Sequence, residues 1–161
     1  KNAINDTELK LNKMLDIQGN KTVDDIHKEL GKIMWEYVGM ARNKDGLNKA
    51  MELISSLKSE FWENVKIPGS ISEYNPELEK ASRLADFLEL GELMARDALT
   101  REESCGGHFR EEYQTEENEA KRNDDSFAFV STWNYKEGEK ENLVKENLNF
   151  EEVTPTTRSY K

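Results

Sequence analysis

The stretch NPELEKASRLADFLELGELMARDAL, residues 75–99, decides the fold. It opens with Asn75-Pro76, an N-cap type side chain followed by a ring whose fixed φ suits the first helical position. Glu77 and Glu79 then put negative charge at the positive end of the coming helix. Leu78, Ala81, Leu84, Ala85, Leu88, Met94, Ala95, Ala98 and Leu99 follow as one apolar series over more than twenty residues. Ala81, Ala85, Ala95 and Ala98 are small, so neighbouring helices can approach closely.

Two similar stripes precede it. Thr22 with Asp25 forms a capping pair, and Val23, Ile26, Leu30, Ile33, Met34, Tyr37 and Ala41 recur at steps of three and four. After a polar connection from Asn43 to Gly46 come Leu47, Ala50, Met51, Ile54, Leu57, Phe61 and Val65, ended by Pro68-Gly69-Ser70. Three amphipathic helices on short links predict a mainly α fold. The expected core is an antiparallel three-helix bundle, spectrin-repeat-like, over residues 21–103. Residues 1–20 read as a linker or approach helix, with Ile4, Leu11, Leu15 and Ile17 irregularly spaced.

The pattern changes after Leu99. Residues 102–125 hold nine acidic and three basic residues, a long polar excursion. Phe127, Phe129 and the apolar side of Val130-Trp133 suggest a strand, with a turn from Lys136 to Lys140. Leu143-Val144 and Leu148-Phe150-Val153 supply one or two more, giving a small C-terminal β-hairpin or an extended tail from Pro155. Residues 104–161 thus form a glycine-containing loop, an acidic segment and short strands, in one structural domain with the bundle.

Composition narrows the function. Leu, Ile, Val and Phe number 34 of 161, just above the level of about 20% where disorder becomes the better reading, so the core is thin. Residues 1–70 carry 11 basic and 11 acidic side chains, and residues 71–161 carry 12 and 22, so the whole net charge of −10 lies in the second part. No basic footprint exists for a polyanion, which argues against nucleic acid. The longest apolar runs fall far short of the roughly 20 residues of a bilayer span. One cysteine, Cys105, excludes an internal disulfide and a cysteine-rich zinc site. The start at Lys1 rather than Met suggests a piece of something longer.

Little catalytic chemistry is visible. His27 reads as a helical histidine beside the stripe, and Trp35 and Trp62 as packing residues next to core positions. The acidic pairs between Glu102 and Asp125 lack the alternating pattern of a calcium loop. No glycine motif for phosphate is present, and Ser104 lacks a strand-to-helix elbow. These residues point to no catalytic, cofactor-binding or metal-binding position. The unusual segment is Arg101-Glu102-Glu103-Ser104-Cys105-Gly106-Gly107-His108-Phe109-Arg110, where a helix ends, two glycines allow sharp turns, and a thiol, an imidazole and guanidinium groups gather. It is either a solvated helix exit or a docking loop.

That loop resembles the C-terminal domain of the flavoprotein subunit of succinate dehydrogenase and fumarate reductase, which commonly reads Ala-Arg-x-x-Leu-x-Arg-x-Glu-Ser-Arg-Gly-Ala-His-x-Arg. Ala95-Arg96, Leu99, Arg101, Glu103-Ser104, Gly106, His108 and Arg110 match; Cys105 and Gly107 replace the family's Arg and Ala. Leu30 to Arg42 resembles the family's first bundle helix, and Pro155 to Tyr160 its closing Pro-x-x-Arg-x-Tyr tail. The resemblance implies an oxidoreductase that interconverts succinate and fumarate. It implies FAD in an N-terminal domain, often on a covalent histidine, with a capping domain, an iron–sulfur subunit and a quinone-linked membrane anchor as partners. It also implies a place in the tricarboxylic acid cycle and electron transport, at the inner face of the plasma membrane. The chain itself would be an inactive, structural piece. Arg101, Ser104, Cys105, Gly106, Gly107, His108 and Arg110 would dock on the FAD domain, so that Arg110→Ala and Gly106→Val leave the isolated chain's melting temperature nearly unchanged. L-aspartate oxidase shares the domain and is a competitor; a free-standing helical interaction module is the other alternative.

Overall fold

Helices form where caps and stripes coincide. The computed structural model describes residues 2–136, 141–156 and 159. Its long helices are α1 (Asn2–Leu15), α2 (Val23–Tyr37), α3 (Lys44–Asn64) and α4 (Pro76–Thr100). Thr22 caps α2 through a full capping box with Asp25. Asn43 accepts from Gly46 N–H to start α3, and Asn75 accepts from Leu78 N–H to start α4, with Pro76 in its first turn. α2 stops at Tyr37, so Ala41 lies beyond the helix in the turn that leads to α3.

α2, α3 and α4 form the three-helix bundle. Ile26, Leu30, Ile54, Phe61, Leu84 and Leu88 are among its buried side chains. α1 does more than approach the bundle, because Met14 is fully buried in the same core and Lys10 pairs with Asp86 of α4 at 3.0 Å. At the far end, Lys21 and Val65 share a parallel bridge that ties the entry of α2 to the exit of α3. Gly19 is required there, since a Cβ would lie 1.8 Å from the Asn64 carbonyl oxygen. No side-chain nitrogen or oxygen is buried without a hydrogen-bond partner among the described residues.

Beyond the bundle lie a short helix α5 (Asp124–Phe127), β1 (Phe129–Asn134) and β2 (Asn142–Asn147). The strands pair antiparallel, with Phe129 opposite Asn147 and Asn134 opposite Asn142. Phe127 therefore closes α5 rather than opening the strand. Most of the expected turn, residues 137–140, lies outside the described residues, as do residues 157, 158, 160 and 161 of the tail. Leu148 N–H adds one bond to Ala128 O at 2.9 Å, but no third strand follows among the described residues. Leu148, Phe150 and Val153 stay exposed, their alternation having no second sheet face to bury against.

The tryptophans divide. Trp62 packs edge-on against Phe61 with Lys13 above its ring. Trp133 donates to Asp97 of α4 at 2.8 Å, which holds the hairpin against that helix. Trp35, expected to pack beside the core, is 86% exposed, because it falls on the outward side of α2. His27 is exposed and lies 5.9 Å from the Phe87 ring. Among the described residues no helix is long and apolar enough to cross a membrane.

Candidate docking site

A helix leaves its last carbonyls without partners, and α4 has no basic side chain in its final turn to supply them. Arg110 meets that need from outside the helix. Its Nη1 donates to Ala98 O at 2.9 Å and to Leu99 O at 3.2 Å, and its Nε donates to Glu112 at 3.1 Å. The guanidinium also lies 5.3 Å from the Tyr113 ring, and the residue is 2% exposed. Glu112 additionally accepts from Lys44 N–H at the start of α3. Burial opposes ionisation of Glu112, but the hydrogen bonds from Arg110 and Lys44 outweigh it and hold its carboxyl below the usual range.

Ser104 is fully buried beside this fork. Its Oγ accepts from Arg110 N–H at 2.8 Å and donates to Arg110 O at 3.1 Å, and its own N–H donates to Lys121 O. Between these residues the backbone makes a small hairpin. Cys105 N–H donates to His108 O at 2.9 Å, and His108 N–H to Cys105 O at 3.1 Å. Gly106-Gly107 is the turn; Gly106 has φ +59°, in the left-handed region open to glycine. Both glycines are exposed, and Cys105 is half-buried.

Arg101 works on the other side of the loop. One nitrogen donates to Glu103 at 2.7 Å and to Phe127 O, the other to Phe129 O at 2.9 Å, with both phenyl rings nearby. Glu103 is buried, and its second oxygen accepts from Asn123 N–H. Arg101 thus clamps the start of the hairpin to the end of α4.

His108 sits between two arginines. Its Nδ1 is 3.1 Å from Arg42 Nη1 and its Nε2 is 3.0 Å from Arg101 O. A guanidinium only donates, so Nδ1 must accept and Nε2–H must donate, which defines a neutral ring in one tautomer. Burial, together with Arg42, Arg110 and Arg101, holds its pKa below the usual histidine value, against the opposing bond to Arg101 O. Burial and the nearby Arg110 charge lower the Arg42 pKa as well.

The seven loop residues therefore come together but divide by direction. Ser104 and Arg110 face inward and Arg101 is tied to the hairpin, while Cys105, Gly106 and Gly107 form the outward tip. The expectation that Arg110 is dispensable to the isolated chain is corrected, because its partners are the chain's own helix end. Gly106→Val is likewise not neutral: no atom lies within 4 Å of a Cβ there, but the left-handed backbone costs a side chain about 1–2 kcal/mol. Arg42, Glu103 and Glu112 complete the site, although none of them is among the seven residues expected to dock. Arg42 joins the loop through its backbone, its N–H donating to Phe109 O and its O accepting from Glu111 N–H. The signal that could have found Arg110 was the missing basic residue in the last turn of α4.

A family model described as the fumarate reductase flavoprotein C-terminus matches residues 27–160, the bundle and the loop together. The chain belongs to this family. Among curated relatives, an uncharacterized FAD-dependent oxidoreductase of Methanocaldococcus jannaschii is 35% identical over 97 residues, covering 60% of this chain and 17% of that protein. The fumarate reductase flavoprotein subunit of Helicobacter pylori is 28% identical over 151 residues, covering 91% and 20%. Among solved structures, E. coli quinol fumarate reductase superposes with a TM-score of 0.82 at 23% identity, covering 96% of this chain and 26% of that one. The matched stretches thus cover a fifth or less of the length of these curated relatives, and the family's fold is reproduced across nearly all of this chain.

Proposed function

We propose that this chain is the structural C-terminal domain of a flavoprotein subunit that interconverts succinate and fumarate, passing electrons through FAD to an iron–sulfur subunit. The family match over residues 27–160 carries this reading. The starts of α2, α3 and α4 do not fit FAD. A pyrophosphate is held by free N–H groups at a glycine-rich helix start, and here the starts of α2, α3 and α4 are each closed by Thr22, Asn43 and Asn75. In this reading the flavin and the dicarboxylate are held by the portion of the subunit outside this chain, with its capping domain.

The chain's part is to present a rigid surface. The outward tip Cys105-Gly106-Gly107, shaped from beneath by Arg101, Ser104, His108 and Arg110, docks on the FAD domain. A quinone-linked membrane anchor, reached through the iron–sulfur subunit, then places the assembly at the inner face of the plasma membrane. The isolated chain supports no turnover with added FAD and succinate.

The test uses the intact subunit. Stoichiometric FAD, with succinate-dependent reduction of an artificial acceptor or fumarate-dependent oxidation of a reduced dye, is the expected result. Oxidation of L-aspartate with no succinate turnover would move the protein to L-aspartate oxidase, whose Vibrio cholerae representative is 31% identical over 88 residues. Absence of flavin would end the proposal.

A further inference from the structure

The bond between Arg42 and His108 exists in one protonation state only. Arg42 Nη1 lies 3.1 Å from His108 Nδ1, and a guanidinium has no lone pair to offer, so the contact requires a bare Nδ1. On the other edge of the ring, Nε2–H donates to Arg101 O at 3.0 Å, a bond that a charged ring would keep. Proton uptake therefore cancels one side of the bridge and leaves the other.

The cations around the ring all oppose that proton. Arg42 faces it from the turn after α2, Arg101 from the end of α4 and Arg110 from the loop itself. Carboxylates stand near but are committed elsewhere. Asp97 of α4 accepts from Trp133, Glu103 pairs with Arg101, and Glu112 pairs with Arg110. Glu111 accepts from Asn43 ahead of α3, and Arg122, in the segment beside Ser104, pairs with Asp124. Among the described residues none of these carboxylates forms an ion pair with the ring. An imidazolium here would be a half-buried cation with no anion of its own.

The piece that this bond holds down is small and anchored at both ends. Ser104 is fixed by Lys121 O and by its two bonds to Arg110, and Arg110 is fixed to Ala98 O and Leu99 O. Between those anchors, Cys105 to Phe109 forms a hairpin. Among the described residues its hydrogen bonds to the rest of the fold run through the His108 ring and through Phe109 O, which accepts from Arg42 N–H at 3.0 Å. Both contacts toward α2 thus end on Arg42.

We infer that His108 is an acid-sensitive latch: one proton on its ring releases the Cys105–Phe109 hairpin from Arg42, while Ser104 and Arg110 keep the two ends of the loop in place. The latch is made of this chain's own residues and holds whatever covers the glycine tip. In the open hairpin His108 is in water at its ordinary value of 6.5. Burial, and after it the charges of Arg42, Arg110 and Arg101, hold the latched ring below that value against the opposing bond to Arg101 O. Between the two values the open form binds one more proton than the latched form. The ratio of open to latched then rises by up to about tenfold for each pH unit of acidification.

Amide hydrogen exchange read by NMR, corrected for its intrinsic dependence on pH, tests this on the whole 161-residue chain between pH 7.5 and 5. The corrected rate of the Arg42 amide should stay level down to 6.5 and then climb at close to tenfold per pH unit. The amides of Ile54 and Leu57 in α3 should not follow it. The His108 ring signal should titrate below 6.5, and Arg42→Met should move that titration upward. His108→Gln keeps both bonds without the proton, because its side-chain oxygen can accept from Arg42 and its amide can donate to Arg101 O. In that variant the Arg42 amide should exchange at one corrected rate across the range. A level rate in the unsubstituted chain overturns the inference, as does a His108 titration at or above 6.5. The same acceleration in His108→Gln would hand the effect to other groups and overturn it. Equal acceleration of the α3 amides would mean global unfolding rather than a latch, and overturns it as well.

Discussion

Replacing Arg110 by Ala in the isolated chain asks whether its guanidinium belongs to the bundle or to an interface. The substitution strips partners from Ala98 O and Leu99 O at the buried end of α4 and removes the cation beside Glu112. Two carbonyls left without partners cost about 2–3 kcal/mol together, at the lower end of about 1–3 kcal/mol each, and loss of an ion pair open to water on the Glu112 side adds about 1 kcal/mol. The ion-pair loss is this small because the Glu112 side chain keeps 36% of its surface in water and retains Lys44 N–H. A net loss of about 3–4 kcal/mol, at about 2–4 °C per kcal/mol for a chain of this size, lowers the melting temperature by roughly 6–16 °C. Arg110→Lys should fall between, since one ammonium cannot reproduce a planar fork that serves two carbonyls and a carboxylate. Thermal denaturation followed by circular dichroism measures all three proteins. A drop below about 2 °C for Arg110→Ala would refute the assignment and return the side chain to a partner surface.

Four further outcomes follow from the same geometry. The His108 pKa is depressed by folding, so the stability it contributes is complete above the ordinary value of 6.5 and is lost as pH falls through that value toward the folded one; His108→Gln should remove this loss, measured as denaturant midpoint between pH 7.5 and 5. Ser104→Ala deletes both bonds that hold Arg110 to the loop and should cost about 1–3 kcal/mol in urea unfolding. Gly31→Ala meets no atom within 4 Å in mid-helix and should add about 0.5–1 kcal/mol by the same assay. Gly19→Ala should destabilise by at least about 1–3 kcal/mol, because its methyl group would displace the Asn64 carbonyl and with it the Lys21–Val65 bridge.

The bundle was legible because its signals are local. Thr22 with Asp25, Asn43 before Gly46 and Asn75 before Pro76 each sit within one turn of the helix they start, and the stripes repeat within one element. Trp35 was misplaced because adjacency to a core position says nothing about which side of the helix a residue faces; it lies one step past Met34, and that step turns it outward. Of the one or two further strands expected, Leu143-Val144 supplies one, and Leu148 to Val153 adds none for a related reason: alternation gives a face, but a face needs a second layer, and none covers it among the described residues. The site was legible as a location and not as a set of roles. Arg101 and Arg110 read alike as charges among carboxylates, and only the backbone oxygens of Phe127, Phe129, Ala98 and Leu99, which sequence does not display, separate them.

The backbone bridge between Arg42 and Arg110 also orders the events of folding. α2, α3 and α4 are joined by short links, so their mutual packing closes small loops and can form early. Bringing Arg110 back to Arg42 closes a loop of more than sixty residues, and its closure entropy is met only once the α4 end and the turn after Tyr37 already stand together. The segment from Ser104 to Glu111 should therefore zip last and open first. Its amides are expected to exchange hydrogen through an opening that leaves the bundle intact, well before those of α3 and the middle of α4. In kinetic terms this region is a late-forming foldon, and a protease that cuts at Gly106-Gly107 would sample that opening rather than global unfolding.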